Sequence, residues 1–214
     1  MKPEVLIPLK MRFLRASVSA IAVLLSFAAV SMTAQAQKIL HNSDVSLSGL
    51  AQFSSDTSGN GVTDDPTKSA GAQVAFRHSY HWWMGYEASY GYTRYAERYS
   101  GQPFSYQHNT HEFGGSYLVT TPLAPFGFRP FALAGVSALV FSPSLNGGQN
   151  VSYQGRPAFN YGVGVNKALL TDHFGIRVQY RGLFYKTPDF HEAALTTNAY
   201  RETSEPMVGV YVKF

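Results

Sequence analysis

Val208-Gly209-Val210-Tyr211-Val212-Lys213-Phe214 closes the chain. Its apolar residues recur at every second position, so Val208, Val210, Val212 and Phe214 share one face of a strand. A bare strand edge of this kind invites pairing with another chain. A barrel closed on itself in a bilayer removes the edge by sealing its last strand against its first. The stretch therefore predicts a terminal barrel strand with one face toward lipid and one toward a lumen.

The other end of the chain agrees. Met11-Arg12-Phe13-Leu14-Arg15 is a short basic segment, Val18 to Val30 is an apolar run without charges, and Ala34-Gln35-Ala36 has the small-x-small form of a cleavage site. Together they read as a secretory signal peptide. Residues 1–36 are expected to be a cleaved leader and 37–214 the mature domain, with Met11 as a second candidate start. A membrane anchor is the alternative. The run is short for a span, and Ser17, Ser19, Ser26 and Ser31 dilute it.

The chain carries 17 Lys+Arg against 13 Asp+Glu, but the leader takes Lys2, Lys10, Arg12 and Arg15 against a single Glu4. The mature domain is thus nearly neutral, and no basic patch supports nucleic-acid binding. Cysteine is absent, which excludes disulfides and thiol chemistry. All 14 Tyr and both Trp follow the leader. No apolar run of helical transmembrane length follows it either. An exported, aromatic-rich, alternating chain without a helical span points to a membrane β-barrel.

Eight strands are expected, near 44–54, 69–77, 82–95, 108–120, 130–141, 157–168, 174–185 and from 203 onward. The third is the clearest. Trp82, Met84, Tyr86, Ala88, Tyr90 and Tyr92 make one face, and Gly85, Glu87, Ser89, Gly91 and Thr93 the other. The fifth is apolar on both faces, so its lipid side stays unassigned. Long polar connections at 55–68, 97–106, 142–155 and 186–202 alternate with short ones. That asymmetry suits an all-β, eight-stranded antiparallel up-and-down transmembrane barrel with both termini periplasmic. The inside-out alternative is a soluble ligand-binding barrel such as a lipocalin. Tyr and Trp at strand ends, many small residues on the polar faces and the apolar terminal strand favour the membrane.

The ending also resembles the assembly signal of bacterial outer-membrane barrels, with Gly209, Val210, Tyr211, Val212 and Phe214 in the pattern and Met207 departing from its polar position. With the leader, strand count and loop asymmetry, the chain resembles the small eight-stranded outer-membrane barrel family typified by the OmpA transmembrane domain and OmpX. The resemblance covers the mature chain. It implies residence in the bacterial outer membrane, contact with its lipids and lipopolysaccharide, delivery by periplasmic chaperones and the barrel-assembly machinery, and a charged network inside the barrel. No cofactor is expected.

The residues that carry chemistry are charged. Glu87, Glu112, Arg177 and Arg181 fall on polar faces, with Gln73, Gln179 and Asn160. A basic residue facing lipid at mid-depth costs about 2–4 kcal/mol, so these groups should turn inward and pair. An eight-stranded barrel is just wide enough for side chains to fill. The expected function is therefore a plugged barrel with a structural or surface-interaction role through its loops. A narrow ion or solute pore is the first alternative and a lipid A-modifying enzyme the second.

For the enzyme, His111-Glu112 and His191-Glu192 are candidate dyads, with Ser105 and Ser116 near the first, but adjacent strand residues point apart and no Gly-x-Ser-x-Gly elbow occurs. Of the histidines, His108 and His111 fall on opposite faces, and His78 and His81 sit in a turn, so no metal is expected. Loop four carries Phe190, Ala193, Ala194, Leu195 and Tyr200, suited to a surface partner or to packing on the rim. Arg94, Arg98 and Arg201 are candidates to meet lipopolysaccharide phosphates.

Overall fold

The computed structural model describes residues 41–145, 147, 148, 151–169 and 171–214; the expected leader lies outside them. Ten strands follow in chain order: β1 (Ser43–Ser54), β2 (Thr57–Gly59), β3 (Val62–Pro66), β4 (Ser69–Ser79), β5 (Met84–Tyr99), β6 (Ser105–Thr120), β7 (Phe128–Pro143), β8 (Gln154–Leu169), β9 (Thr171–Lys186) and β10 (Tyr200–Lys213). β1 and β4 to β10 are the eight expected strands, each antiparallel to its neighbours. β1 pairs with both β4 and β10, and β5 pairs with β6, so the sheet closes.

The seam is where the sequence puts it. Val45 lies opposite Val212, Leu47 opposite Val210 and Gly49 opposite Val208, with the valines of β10 exposed on the outer wall. Gly209 faces Ser48 across the seam. A Cβ there would run into Ser48 Oγ and the Leu47 carbonyl, so the close approach of the two strands needs glycine.

Three features differ from the sequence reading. β5 to β9 each run 16 residues, longer than the crossing expected, and their extra length lies mostly at the end away from the termini. Those extensions are rich in polar residues such as Glu97, Arg98, Ser105, Gln107, Gln154 and Arg156, and so read as loop. The first polar loop also contains a small hairpin, β2 with β3, and β3 continues the sheet beside β5, with Asp64 opposite Tyr99. At the other end the connections are tighter. Trp82 does not open β5. It is exposed in a turn tied by His81 and Met84 backbone bonds.

The alternation sorts the two faces. On β5, Tyr86, Ala88, Tyr90 and Tyr92 point outward, while Gly85, Glu87, Gly91 and Thr93 are buried in the lumen. β7 resolves the face that its sequence left open. Phe131, Leu133, Leu139 and Phe141 point inward, and Ala132, Ala134, Val136 and Ala138 outward. The bulkier set fills the lumen because apolar layers there pack above and below the charges.

Candidate functional site: the lumen

The middle of the lumen is built around Arg181 of β9. Its guanidinium pairs with Glu112 of β6 and with Glu205 of β10, the latter at 2.7 Å. Gln73 of β4, with its amide oxygen turned toward Arg181, accepts from Nη1 at 2.5 Å. The other Glu112 oxygen accepts from Ser137 Oγ at 2.7 Å. Asn160 of β8 donates to Ser137 Oγ and accepts from Ser116 Oγ, each at 2.7 Å. Six strands thus share one polar layer. Gly91 lies beside this layer, and a Cβ there would make only ordinary contact with Glu112, 3.4 Å from Oε2.

Toward the termini, Arg77 of β4 donates from Nε to Glu87 at 2.5 Å and from Nη2 to Gln179 at 2.8 Å. Its guanidinium lies 4.1 Å from the centre of the Phe131 ring, a cation–π geometry. Arg177 donates to Asp44 at 2.8 Å, Ser46 at 2.9 Å and Asn166 at 2.8 Å. Charge-assisted bonds of this sort are the strong ones, and buried charges persist only when so paired.

Glu87, Glu112, Arg177, Arg181, Gln73 and Gln179 therefore all lie on the lumen side. Of the four charges, only Glu112 and Arg181 meet directly. Glu87 meets Arg77, and Arg177 meets Asp44. The sequence reading did not single out Arg77, Asp44 or Glu205 as partners. The signal was present: Arg77 shares the phase of Gln73, and Glu205 stands four residues before Gly209, on the lumen side of the terminal strand.

A second charged group sits at the loop end. Arg201 of β10 is fully buried and pairs with Asp64 of β3 and with Glu97 of β5, the latter at 2.6 Å. Tyr99 donates its hydroxyl to Glu97 at 2.7 Å, and His108 Nε2 lies 3.8 Å from Glu97. Two carboxylates share one guanidinium, and they titrate apart. Burial, with Glu97 nearby, pushes the Asp64 carboxyl up to about 8 against the pull of Arg201. Burial works the same way on Glu97, but Arg201 and His108 hold it below its ordinary value.

Phe190 and Leu195 of loop four cap this cluster, packing with Tyr95, Tyr106, Phe141 and Tyr185. They are 1% exposed, so they belong to the barrel interior and not to a surface patch. Arg201, taken from the sequence as a phosphate contact at the rim, is likewise inside. Arg98 does stay exposed beside Asp65, and Arg94 bonds Gln107. Between the middle and loop-end clusters lies a void of about 10 Å³, bordered by Leu50, Thr93, Tyr95 and Leu139. That is room for roughly one water molecule.

The candidate dyads do not assemble. His111 stands on the outer wall, where Nδ1 lies 2.8 Å from the Tyr90 hydroxyl, while Glu112 is in the lumen. His191 and Glu192 are exposed in loop four, and Ser116 is engaged with Asn160. His108 is buried and His111 faces away from it. Among the described residues no three His, Cys, Asp or Glu side chains are grouped to hold a metal.

A family model described as "Outer membrane protein beta-barrel domain" matches residues 22–211. Among solved structures, Neisserial surface protein A superposes with a TM-score of 0.59 at 18% identity, covering 81% of this chain and 97% of that one. The outer membrane protein OprG of Pseudomonas aeruginosa gives 0.52 at 14% identity, covering 81% and 96%. At these identities the likeness is one of fold. No curated protein sequence matches.

Proposed function

The chain belongs to the outer membrane protein beta-barrel domain family and is an integral barrel of the bacterial outer membrane, and from that premise we propose that it is a closed barrel, structural in its wall and interactive through its loops, rather than a pore or an enzyme. One observation carries the reading: Arg181 joins Glu112, Glu205 and Gln73 across the lumen from four different strands. A conducting path would have to part these pairs, leaving charges buried without partners. The loop-end cluster and the Phe190–Leu195 cap add a second obstruction. In this reading both termini are periplasmic and the longer connections face outward, the usual arrangement of such barrels. The outer wall meets lipid, and Arg98 at the rim meets lipopolysaccharide phosphate. Periplasmic chaperones and the barrel-assembly machinery deliver the chain, reading Gly209, Val210, Tyr211, Val212 and Phe214.

Planar-bilayer recording of the refolded protein tests the closed lumen, after a heat-dependent gel shift has verified folding. A silent membrane is the expected result. Discrete openings that change in Glu112→Gln or Arg181→Gln would make the protein a channel and the ion pairs its gate.

A further inference from the structure

The lumen opens at the termini end into a vestibule. A cavity of about 410 Å³ is lined there by Arg77, Arg129, Asn166, Tyr211 and Lys213 among others. A second, of about 350 Å³, adjoins it and shares Arg129, Tyr211 and Lys213. Together they have the size of a small-ligand site.

Basic groups outnumber acidic ones at this mouth. Arg77, Arg129, Arg177, Lys167 and Lys213 line or underlie it, against Asp44, Glu87 and Asp172. Glu87 and Asp44 answer only Arg77 and Arg177. Arg129 and Lys213 have no carboxylate within ion-pair distance among the described residues, although Asp172 lines the adjoining cavity. The chain's terminal carboxylate is also at this end, on Phe214, whose N–H donates to the Ser43 carbonyl. A second observation is independent of the balance. Arg77 is 1% exposed, its Nε and Nη2 are engaged, and Nη1 has no hydrogen-bond partner among the described residues. A buried guanidinium nitrogen without an acceptor is costly, and this one belongs to a residue that lines the cavity.

We propose that the vestibule binds a phosphate group, with Arg77 at its floor and Arg129 and Lys213 at its sides. Arginine suits phosphate by its planar, multiply donating geometry, and lysine adds a point charge. The amide of Asn166 and the hydroxyl of Tyr211 complete a donor set. A lipid headgroup and a small free phosphate compound present the same chemistry. The site is separate from the middle ion-pair layer and does not depend on whether the lumen conducts.

The test uses the whole folded protein in phosphatidylcholine nanodiscs. Inorganic phosphate is titrated by calorimetry, and in a parallel arm the discs contain phosphatidylglycerol, with retained lipid read by native mass spectrometry. Arg129→Gln and Lys213→Gln are the variants, since both side chains avoid the buried pairs. Lys68→Gln, exposed at the other end, is the control, and the heat-dependent gel shift checks that each barrel is folded. Phosphate binding weakened about tenfold or more in the two variants but not in the control supports the site. Phosphatidylglycerol retention lost in the same two variants supports it with the headgroup as source. Neither probe binding the wild type, or binding equal in wild type and variants, overturns it.

Discussion

The two ion clusters of the lumen are alike in chemistry and different in construction. Each sets one arginine between two carboxylates. Around Arg181, all partners sit on long barrel strands, so the register of β4, β6, β9 and β10 holds them. Around Arg201, one partner is Asp64, which rides on the short hairpin of β2 and β3. That hairpin pairs with β5 at only three positions, Asp64 to Tyr99, Asp65 to Arg98 and Pro66 to Glu97, and adds a few bonds such as Thr57 to Thr187 and Asn60 to the Thr196 carbonyl. The middle cluster cannot open without deforming the barrel. The loop-end cluster can open by releasing a small element. Buried charge can therefore act as a brace in one place and a latch in another, depending on which backbone carries the partners.

The largest effect should follow from Arg181→Ala. It leaves Glu112 and Glu205 facing each other without their cation. Removing one partner of a buried pair costs about 3–5 kcal/mol, and here the loss should appear in unfolding of the whole barrel. Urea unfolding followed by gel shift and tryptophan emission would measure it. A variant as stable as wild type would break the comparison at its rigid end.

Arg201→Ala removes an equally buried cation, but its cost of about 3 kcal/mol should fall on the hairpin. The expected sign is proteolysis within residues 55–68 of a barrel whose unfolding midpoint moves far less than that of Arg181→Ala. If the two variants lower the barrel midpoint equally, the latch is as much a brace as the middle cluster.

How far the sequence disclosed this difference depended on what carried each residue. Strand residues were legible because alternation assigns a face. It placed Glu87, Glu112, Arg177, Arg181, Gln73 and Gln179 in the lumen and the terminal valines on the wall. Pairing was less legible, because which inward residue meets which depends on strand register and shear, and alternation fixes neither. Hence Glu87 was not matched with Arg77. β7 was ambiguous because its inward set, Phe131, Leu133, Leu139 and Phe141, is apolar like its outward set. The latch was hidden for a different reason. Asp64, Phe190 and Leu195 lie in connections with no period, and their burial comes from folding back over the open barrel end.

The cap sharpens the comparison from above. Leu195 and Phe190 pack over Arg201's surroundings, so they help to keep water from the loop-end cluster. Leu195→Ala should loosen this end by about 2 kcal/mol, the lower part of the range for core truncations. Faster amide exchange in β2, β3 and loop four, with the middle strands unchanged, is the expected pattern. Uniform acceleration along β9 and β10 would mean that the cap stabilises the whole barrel.

The smallest effect is the most specific, because it concerns one proton. Asp64 has its folded value raised from 3.8 to about 8, chiefly by burial and then by Glu97. Between those values the closed hairpin holds a proton that the released one does not, so linkage makes closure weaken as pH rises. The contribution of Asp64 is fully present below 3.8 and is lost as pH climbs through about 8. Glu97 acts oppositely: its value is lowered from 4.5, so its contribution is present above 4.5 and is lost only as pH falls through the lowered value. From mild acid to pH 8 the slope therefore belongs to Asp64. Cleavage within 55–68 by a protease active across that range, corrected for the protease's own pH profile, should rise a few-fold with pH in the wild type. It should be flat in Asp64→Asn, which keeps the shape and cannot titrate. A slope that survives in Asp64→Asn would assign the proton to another group near Arg201. The latch would then not be governed by the hairpin's own carboxyl, and the contrast between the two clusters would narrow.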